Sequence, residues 1–464
     1  MHFYGRHIEL NFLQRMYESN KFSFIPISGR RGVGKSALIS KFADNKTTIL
    51  LENDDIETFV SDVSQLAKTL QIIEDSFLSK DLTKLFDIIY RISQKIKLLF
   101  IIDEFYFFFK TPKLLNKLQF AIDKKFKRTN IMIILAHSSL AFMKRHILGY
   151  ESPLYGRRTT QLKISPFTFS ESREFVSKYS LIEQALVYGV TGGVPRYLEL
   201  FDSNNPLDEN LIFNYFSPQG YLFLEPKNLF GQEFKDPGIH EDIVRIIANG
   251  ATSFNEIKNK LEIKISEEKI KNCLTALITA EIVEISKPVI DGTSEHKGIY
   301  CIKDDMYNFW YNMVESKLFL INYLKGANAY QSVLPLINTF MGGIFEKICI
   351  QYMASKMDDL PFIPDKIGRW WGTNNKTKSQ MEIDFIAISI NNKEAIFGEC
   401  KWSNQLVDKS EIIKLIEKAK YFVNFETKYC YLFSKTGFTE RAKEFASENL
   451  SIKLFSLYDM FDHN

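Results

Sequence analysis

The sequence predicts an α/β protein of several domains, with a parallel-sheet phosphate-binding fold first and a second α/β domain last. Three patterns carry that expectation. Residues 29–36 read Gly-Arg-Arg-Gly-Val-Gly-Lys-Ser and fit G-x-x-x-x-G-K-[ST] between an apolar strand-like run and a helical one. Residues 98–104 (LLFIIDE) form an unbroken apolar run that closes on two carboxylates. Residues 381–402 hold two strand patterns around a polar turn, with Asp384 on the first and Glu399 and Lys401 on the second. A chain of 464 residues exceeds one hydrophobic core, so two or three domains are expected.

Composition points to a soluble, cytoplasmic protein. Net charge is +3, so affinity for nucleic acid has to come from local basic surface rather than overall charge. Cys273, Cys301, Cys349, Cys400 and Cys430 form no CxxC pair, which argues against structural zinc or a disulfide scaffold and suits a reducing compartment. The N-terminus lacks a charged-then-apolar leader pattern. The greasiest segment, 98–109 (LLFIIDEFYFFF), is short and carries Asp103 and Glu104, so no membrane span is expected from it.

In chain order, Phe22 to Ser28 reads as a buried strand, and Ala37 to Phe42 opens a helix behind the glycine loop. Strand, loop and helix N-terminus together make a nest of backbone N–H groups aimed at phosphate. Residues Gly29, Arg30, Arg31, Gly32, Val33, Gly34, Lys35, Ser36 and Ala37 are the expected contacts of a nucleoside triphosphate. Gly32 and Gly34 permit the backbone angles, Lys35 reaches the β- and γ-phosphates, and the Ser36 hydroxyl ligates Mg²⁺. The strand 98–104 is expected to lie beside this loop, so that Asp103 orients the metal through water and Glu104 activates the attacking water. A third buried strand, Asn130 to Ala136, ends in His137-Ser138-Ser139. Any of the three is eligible to sense the γ-phosphate, and Ser138 or Ser139 equally suits an N-cap for the following LAFMKRH segment.

Tyr4-Gly5-Arg6 with Glu9-Leu10, the loop 29–36, Ile101 to Glu104, Pro153 to Arg158 and Gly192 to Leu198 together resemble AAA-type ATPases of archaea and bacteria, whose ATPase domain is related to the origin-recognition ATPases. The resemblance covers about residues 1–235. It implies an ATPase core over 1–165 and a helical lid over 166–235, with ATP and Mg²⁺ as cofactors. It also implies that Gly5 and Arg6 lie near the adenine, that Arg157 or Arg158 is an arginine finger serving a neighbouring subunit of a homo-oligomer, and that Arg196 is a second sensor in the lid. The plainer readings are surface salt bridges for Arg157 and Arg158, and a helix start at Pro195-Arg196. Members of that family often carry Gly-Ser where this chain has His137-Ser138, which leaves the first sensor open.

From 236 to 330 the pattern is three short helices (240–248, 253–261, 266–280), two strand-like stretches (282–285, 298–302) and an aromatic connector with Phe309-Trp310-Tyr311. Three helices and a hairpin outline a winged helix, whose third helix offers Lys269, Lys271 and Asn272 to a groove, against the opposing charges of Glu267 and Glu268. Contact with DNA and contact with protein both fit that outline.

Residues 331–464 hold the second chemical signal. Side chains alternate along a strand, so Glu399 and Lys401 share a face and Cys400 takes the other. If the two strands pair as a hairpin, Asp384 comes opposite Glu399, and two acids with a lysine on one face make sense around a divalent metal. This D-(x)n-E-x-K arrangement resembles the restriction-endonuclease-like PD-(D/E)XK superfamily, which also carries an acid on its first core helix, matched here by Glu346. The resemblance implies a Mg²⁺- or Mn²⁺-dependent nuclease with Glu346, Asp384, Glu399 and Lys401 in its centre, Asp384 and Glu399 as metal ligands, and DNA as partner. The expected function is thus an ATPase coupled to a DNA nuclease in DNA processing or defence. The alternatives are a regulatory ATPase whose last domain binds nucleic acid without cutting, and a winged-helix DNA-binding regulator.

Overall fold

The computed structural model describes residues 3–52, 55–74, 80–104, 112–262, 265–290, 298–374 and 378–461. The far end of the apolar run, residues 105–109, and most of the polar turn near 290 lie outside them. The chain divides after Pro166 into two compact units.

The first unit is built on five parallel strands: β1 (Ser23–Ser28), β2 (Thr48–Glu52), β3 (Leu99–Asp103), β4 (Met132–His137) and β5 (Leu162–Lys163), in the order β2-β3-β4-β1-β5. Parallel strands covered on both faces need unbroken apolar runs. In β3, Phe100 and Ile102 enter one core while Leu99 and Ile101 enter the other. The flanking helices are started by acids: Asp55 accepts the Thr58 N–H and Asp81 that of Thr83, each at 3.0 Å. Pro26, unusual in an interior strand, is tolerated because its nitrogen faces the β5 side, where β5 pairs only with Ile27 and Ser28. β4 lies between β3 and β1 and pairs with both. Asp103 is still delivered to the loop, since the register aligns Asp103 with Ala136 and His137 with Ser28 at one edge of the sheet.

The second unit has two cores, a large one drawing on residues from Phe167 to Met460 and a smaller one around Trp370, Phe397 and Leu415. Its first long helix, Leu181–Thr191, starts with a Ser180/Glu183 capping box and stops at Gly192 in the left-handed region (φ 61°). Helices Pro237–Ala248, Phe254–Lys260 and Glu267–Thr279 are followed by the antiparallel pair β6 (Val283–Ser286) and β7 (Ile299–Ile302). Ser253 and Ser266 cap the second and third of these helices. Trp310 is fully buried, with its indole N–H donating to the Phe223 carbonyl at 2.8 Å, so the aromatic connector is core.

Helix Gly326–Ser355 is long and apolar enough by length and composition to cross a membrane. It packs here as a core helix, burying Met341, Ile344, Phe345, Ile348, Cys349 and Tyr352 at helical spacing. It covers one face of a mixed sheet ordered β12-β11-β10-β9-β8, with helix Lys409–Lys420 on the other face. The strands are β8 (Pro364–Asn374), β9 (Ser379–Ser389), β10 (Glu394–Lys401), β11 (Thr427–Ser434) and β12 (Ile452–Ser456). β8, β9 and β10 run antiparallel, whereas β10, β11 and β12 run parallel. Gly398 is required by space: a Cβ there would stand 2.2 Å from the Phe385 ring, which lies across it from β9.

Candidate functional site

The first site forms at the C-terminal edge of the parallel sheet. Gly32 (φ 82°) and Gly34 (φ 88°) take backbone angles that side chains disfavour, which turns the loop into helix Lys35–Ala43. Buried Lys35 is held inside the loop, its ammonium donating to the carbonyls of Gly29 (2.8 Å) and Arg30 (3.2 Å) and standing 3.9 Å from Glu104. Ser36 Oγ donates to Asp103 Oδ2 at 2.7 Å, joining the loop to the end of β3.

Asp103 is buried, and its Oδ1 has no hydrogen-bond partner among the described residues. Burial raises its carboxyl above the usual aspartate range, a cost that a cation at this edge removes. An orphaned carboxylate oxygen beside a loop hydroxyl therefore fits Mg²⁺. Glu104 departs from the strand with φ 46°, a strained angle for a non-glycine residue, which turns its carboxylate away from the sheet.

The tip of β4 surrounds Glu104, and the three candidate sensors separate by partner. Ser139 accepts the Phe142 N–H at 3.2 Å and is the helix cap. Ser138 donates to Glu104 Oε2 at 3.0 Å. His137 Nδ1 accepts the Ser139 N–H at 2.9 Å, which leaves the ring proton on Nε2, 3.9 Å from the same Glu104 oxygen.

Burial, aided by the charge of Lys35, holds the His137 imidazole down at about 4. Well above pH 6.5 neither the folded nor the unfolded chain is protonated here, and this stability is fully present. Below that, the unfolded chain takes up a proton the folded chain refuses, so stability falls as pH drops toward 4, by about 1 kcal/mol at pH 5.5. Between pH 7 and 5.5, wild type should therefore lose about 2–4 °C more in melting temperature than His137→Gln. Parallel curves would remove His137 from the account.

The remaining residues expected near the nucleotide are placed as follows. Arg6 (φ 57°) is buried, donating to the carbonyls of Val33 (3.0 Å) and Ser165 (2.6 Å), so its guanidinium braces the loop from behind. Arg157 is gripped by Asp123 Oδ2 through Nε and Nη2, each at 2.9 Å, which is the salt-bridge arrangement. Arg158 contacts the Leu148 carbonyl at 3.5 Å. Arg196 belongs to the second unit, where it is half exposed, lies over the Tyr221 ring and stands 3.9 Å from Glu199.

The second site lies at the end of the mixed sheet. The register Gly398↔Phe385 carries Asp384 opposite Glu399, and Asp384 Oδ2 accepts the Cys400 N–H at 2.6 Å. Burial, then the charge of Glu399, pushes the Asp384 carboxyl up to about 6. Glu346 reaches the same acids from the long helix, and burial together with their charge pushes it up to about 7, against the Arg369 guanidinium at 3.2 Å. Glu399 Oε1 is bonded by Lys401 at 2.7 Å and Oε2 by Lys418 at 2.8 Å. Burial works to lower Lys401, but the bond and charge of Glu399 outweigh it and hold the ammonium above its ordinary value.

Alternation along β10 is as expected. Glu399 and Lys401 face helix Lys409–Lys420, through Lys418 and Glu411, while the Cys400 thiol meets Cys349 of the long helix. Two carboxyls raised toward neutrality suit a divalent cation chemically, although one binding at Glu399 would have to displace a lysine. Among the described residues, no three His, Cys, Asp or Glu side chains are arranged to hold a metal ion. Glu411 and Lys418 were missed from sequence. Their spacing of seven on a helix, two turns along one face, is the signal that could have found them.

Residues 3–201 match the model of a family described as an ATPase domain predominantly from Archaea. Residues 310–420 match one described as archaeal and bacterial proteins of unknown function. The chain is 32% identical over 437 residues to the uncharacterized protein MJECL04 of Methanocaldococcus jannaschii, covering 90% of this chain and 94% of that protein. The uncharacterized ATP-binding protein MJ0423 of the same organism is 50% identical over 44 residues, or 10% of this chain and 75% of that protein. Among solved structures, the Walker-type ATPase PABY2304 of Pyrococcus abyssi superposes with a TM-score of 0.50 at 20% identity, covering 67% of this chain and 96% of that one. The ORC2 protein of Aeropyrum pernix gives a TM-score of 0.45 at 14% identity over 71% of this chain and 95% of that one. The first of these likenesses shows the P-loop ATPase fold.

Proposed function

The chain belongs to the family of the M. jannaschii protein, and in it an archaeal-type ATPase domain is joined to a C-terminal domain of unknown function; we propose that its P-loop ATPase is coupled to metal-dependent cutting of DNA by the second unit. At the first site Lys35 binds the β/γ-phosphates and Glu104 takes the proton of the attacking water. Ser138 holds the Glu104 carboxylate, the His137 ring stands 3.9 Å from the same oxygen, and the two report the state of the nucleotide. Ser36, and Asp103 through water, would hold Mg²⁺, which would supply positive charge to the phosphates. Arg158 or Arg157 acts as a finger on a neighbouring copy, the latter only after leaving Asp123, and Arg196 serves as the second sensor. The five cysteines are all thiols, which suits the cytoplasm.

At the second site, the observation that carries the reading is the convergence of Glu346, Asp384, Glu399 and Lys401 from one helix and two strands onto a single sheet end. Asp384 and Glu399 are the residues that would hold a divalent cation, which would supply Lewis-acid charge there. Lys401 steadies the water or the developing negative charge. Glu346, protonated near neutrality, can exchange a proton at the same place.

A second reading, binding without cutting, is favoured by one fact: both Glu399 oxygens are already taken by lysines. The test is purified protein with plasmid and single-stranded DNA, Mg²⁺ or Mn²⁺, with and without ATP. Metal-dependent nicking abolished by a chelator is expected. DNA binding without nicking under every condition would leave the second reading in its place.

A further inference from the structure

Lys35 has a companion in burial. Lys435 is only 5% exposed, although it directly follows β11. Its N–H bonds the Lys401 carbonyl at 3.0 Å, so it stands at the C-terminal ends of parallel strands β10 and β11, the end where open α/β sheets hold ligands. Alternation places its side chain on the face of Phe433, away from Ser434 and Lys401. There Nζ donates to Asn404 Oδ1 and lies 5.0 Å from the centre of the Trp402 ring.

What Lys435 lacks is an anion. The other lysines at this sheet end have carboxylates, Lys401 on Glu399 and Glu411, and Lys418 on Glu399. Lys435 forms no ion pair among the described residues, and burial alone moves its ammonium below the ordinary lysine value. A buried cation without a counter-charge is costly, and an incoming anion removes that cost. The cover is thin, because Asn404, Gln405 and Leu406 are exposed. The loop is tied down from beneath by Thr436 Oγ1 on the carbonyls of Ser403 and Gln405.

Resting on the nuclease reading above, we propose that Lys435, Asn404 and Trp402 form a subsite for a phosphate of the nucleic-acid strand beside the one that is cut. Lys401 faces one side of β10 and Lys435 the other side of β11, so a strand crossing these ends meets both ammonium groups. The subsite takes phosphate as a class, whether an internal phosphodiester or a terminal monoester.

The test uses the full chain in excess chelator, so that nothing is cut, titrated over a range of salt with labelled single-stranded and duplex oligonucleotides with and without a 5′-phosphate. Lys435→Met should weaken binding several-fold and lower the log–log salt slope by about 0.7–0.9, the value of one phosphate contact, while Lys435→Arg keeps the slope. A difference confined to 5′-phosphorylated strands assigns the terminal phosphate, and one seen with all strands assigns the backbone. A merely structural lysine would lower the melting temperature and leave the slope alone. If Lys435→Met does not fold, exposed Asn404→Asp, which sets a carboxylate against the ammonium, should produce the same loss of slope. A wild-type slope in these variants, or no oligonucleotide binding by wild type, overturns the subsite. Cutting in the separate metal-dependent plasmid assay, with an unchanged slope here, would sink the subsite alone. A Lys435-dependent slope with no cutting in that assay would sink the nuclease reading and leave Lys435 as a phosphate contact of a binding domain.

Discussion

Glu104→Gln should bind ATP as tightly as wild type and hydrolyse it about 10²–10⁴-fold more slowly, the usual contribution of a positioned general base. The substitution is mild in structure. A glutamine Oε1 still accepts the Ser138 hydroxyl, and the left-handed backbone at residue 104 is unchanged. What it removes is basicity, together with the negative charge 3.9 Å from Lys35. Lys35→Ala should fail earlier, losing nucleotide affinity as well as turnover, because it deletes the ammonium stored among the loop carbonyls. Equilibrium binding of a labelled nucleotide and phosphate release separate the two cases. A Glu104→Gln protein with wild-type turnover would show that another group takes the proton.

The second large effect is expected at the sheet end of the other unit. Asp384→Asn and Glu399→Gln should each reduce metal-dependent DNA cleavage by on the order of 10³-fold, since a ligand of the cation is worth several kcal/mol of transition-state stabilisation. ATP hydrolysis should be unchanged, because that site belongs to the first unit. Asparagine is preferable to alanine at 384, where its amide oxygen can still accept the Cys400 N–H. Lys401→Ala should also fall, and it leaves Glu399 with Lys418 as its remaining partner. Cys400→Ser, which faces Cys349 on the opposite side of β10, should cut at nearly the wild-type rate. Equal cleavage by wild type and Asp384→Asn would remove these residues from the centre.

Local sequence determined the parts of this protein whose physics is local. A glycine loop between strand and helix can form only one kind of phosphate nest, so Gly29 to Ser36 was legible at once. Capping serines such as Ser253 and Ser266, the apolar face of the long helix and the alternation of Glu399, Cys400 and Lys401 follow from periods of 3.6 and 2 that any short segment carries. Strands β8 and β12 were not read, nor was the insertion of β4 between β3 and β1. Strand order is a pairing choice between segments far apart in the chain, and the apolar runs of β3 and β4 are too alike to rank.

The tertiary structure decided which polar groups meet. It separated Ser139, a cap, from Ser138 and His137, which face Glu104, and it drew Arg157 onto Asp123. It brought Lys418 and Glu411 from a helix onto the E-x-K strand and buried Lys435 without a carboxylate partner among the described residues. Each of these outcomes depends on desolvation and on charges contributed by residues distant in the chain. A side chain's neighbours in sequence do not set its burial or its counter-charge, so these contacts existed only once the fold had closed.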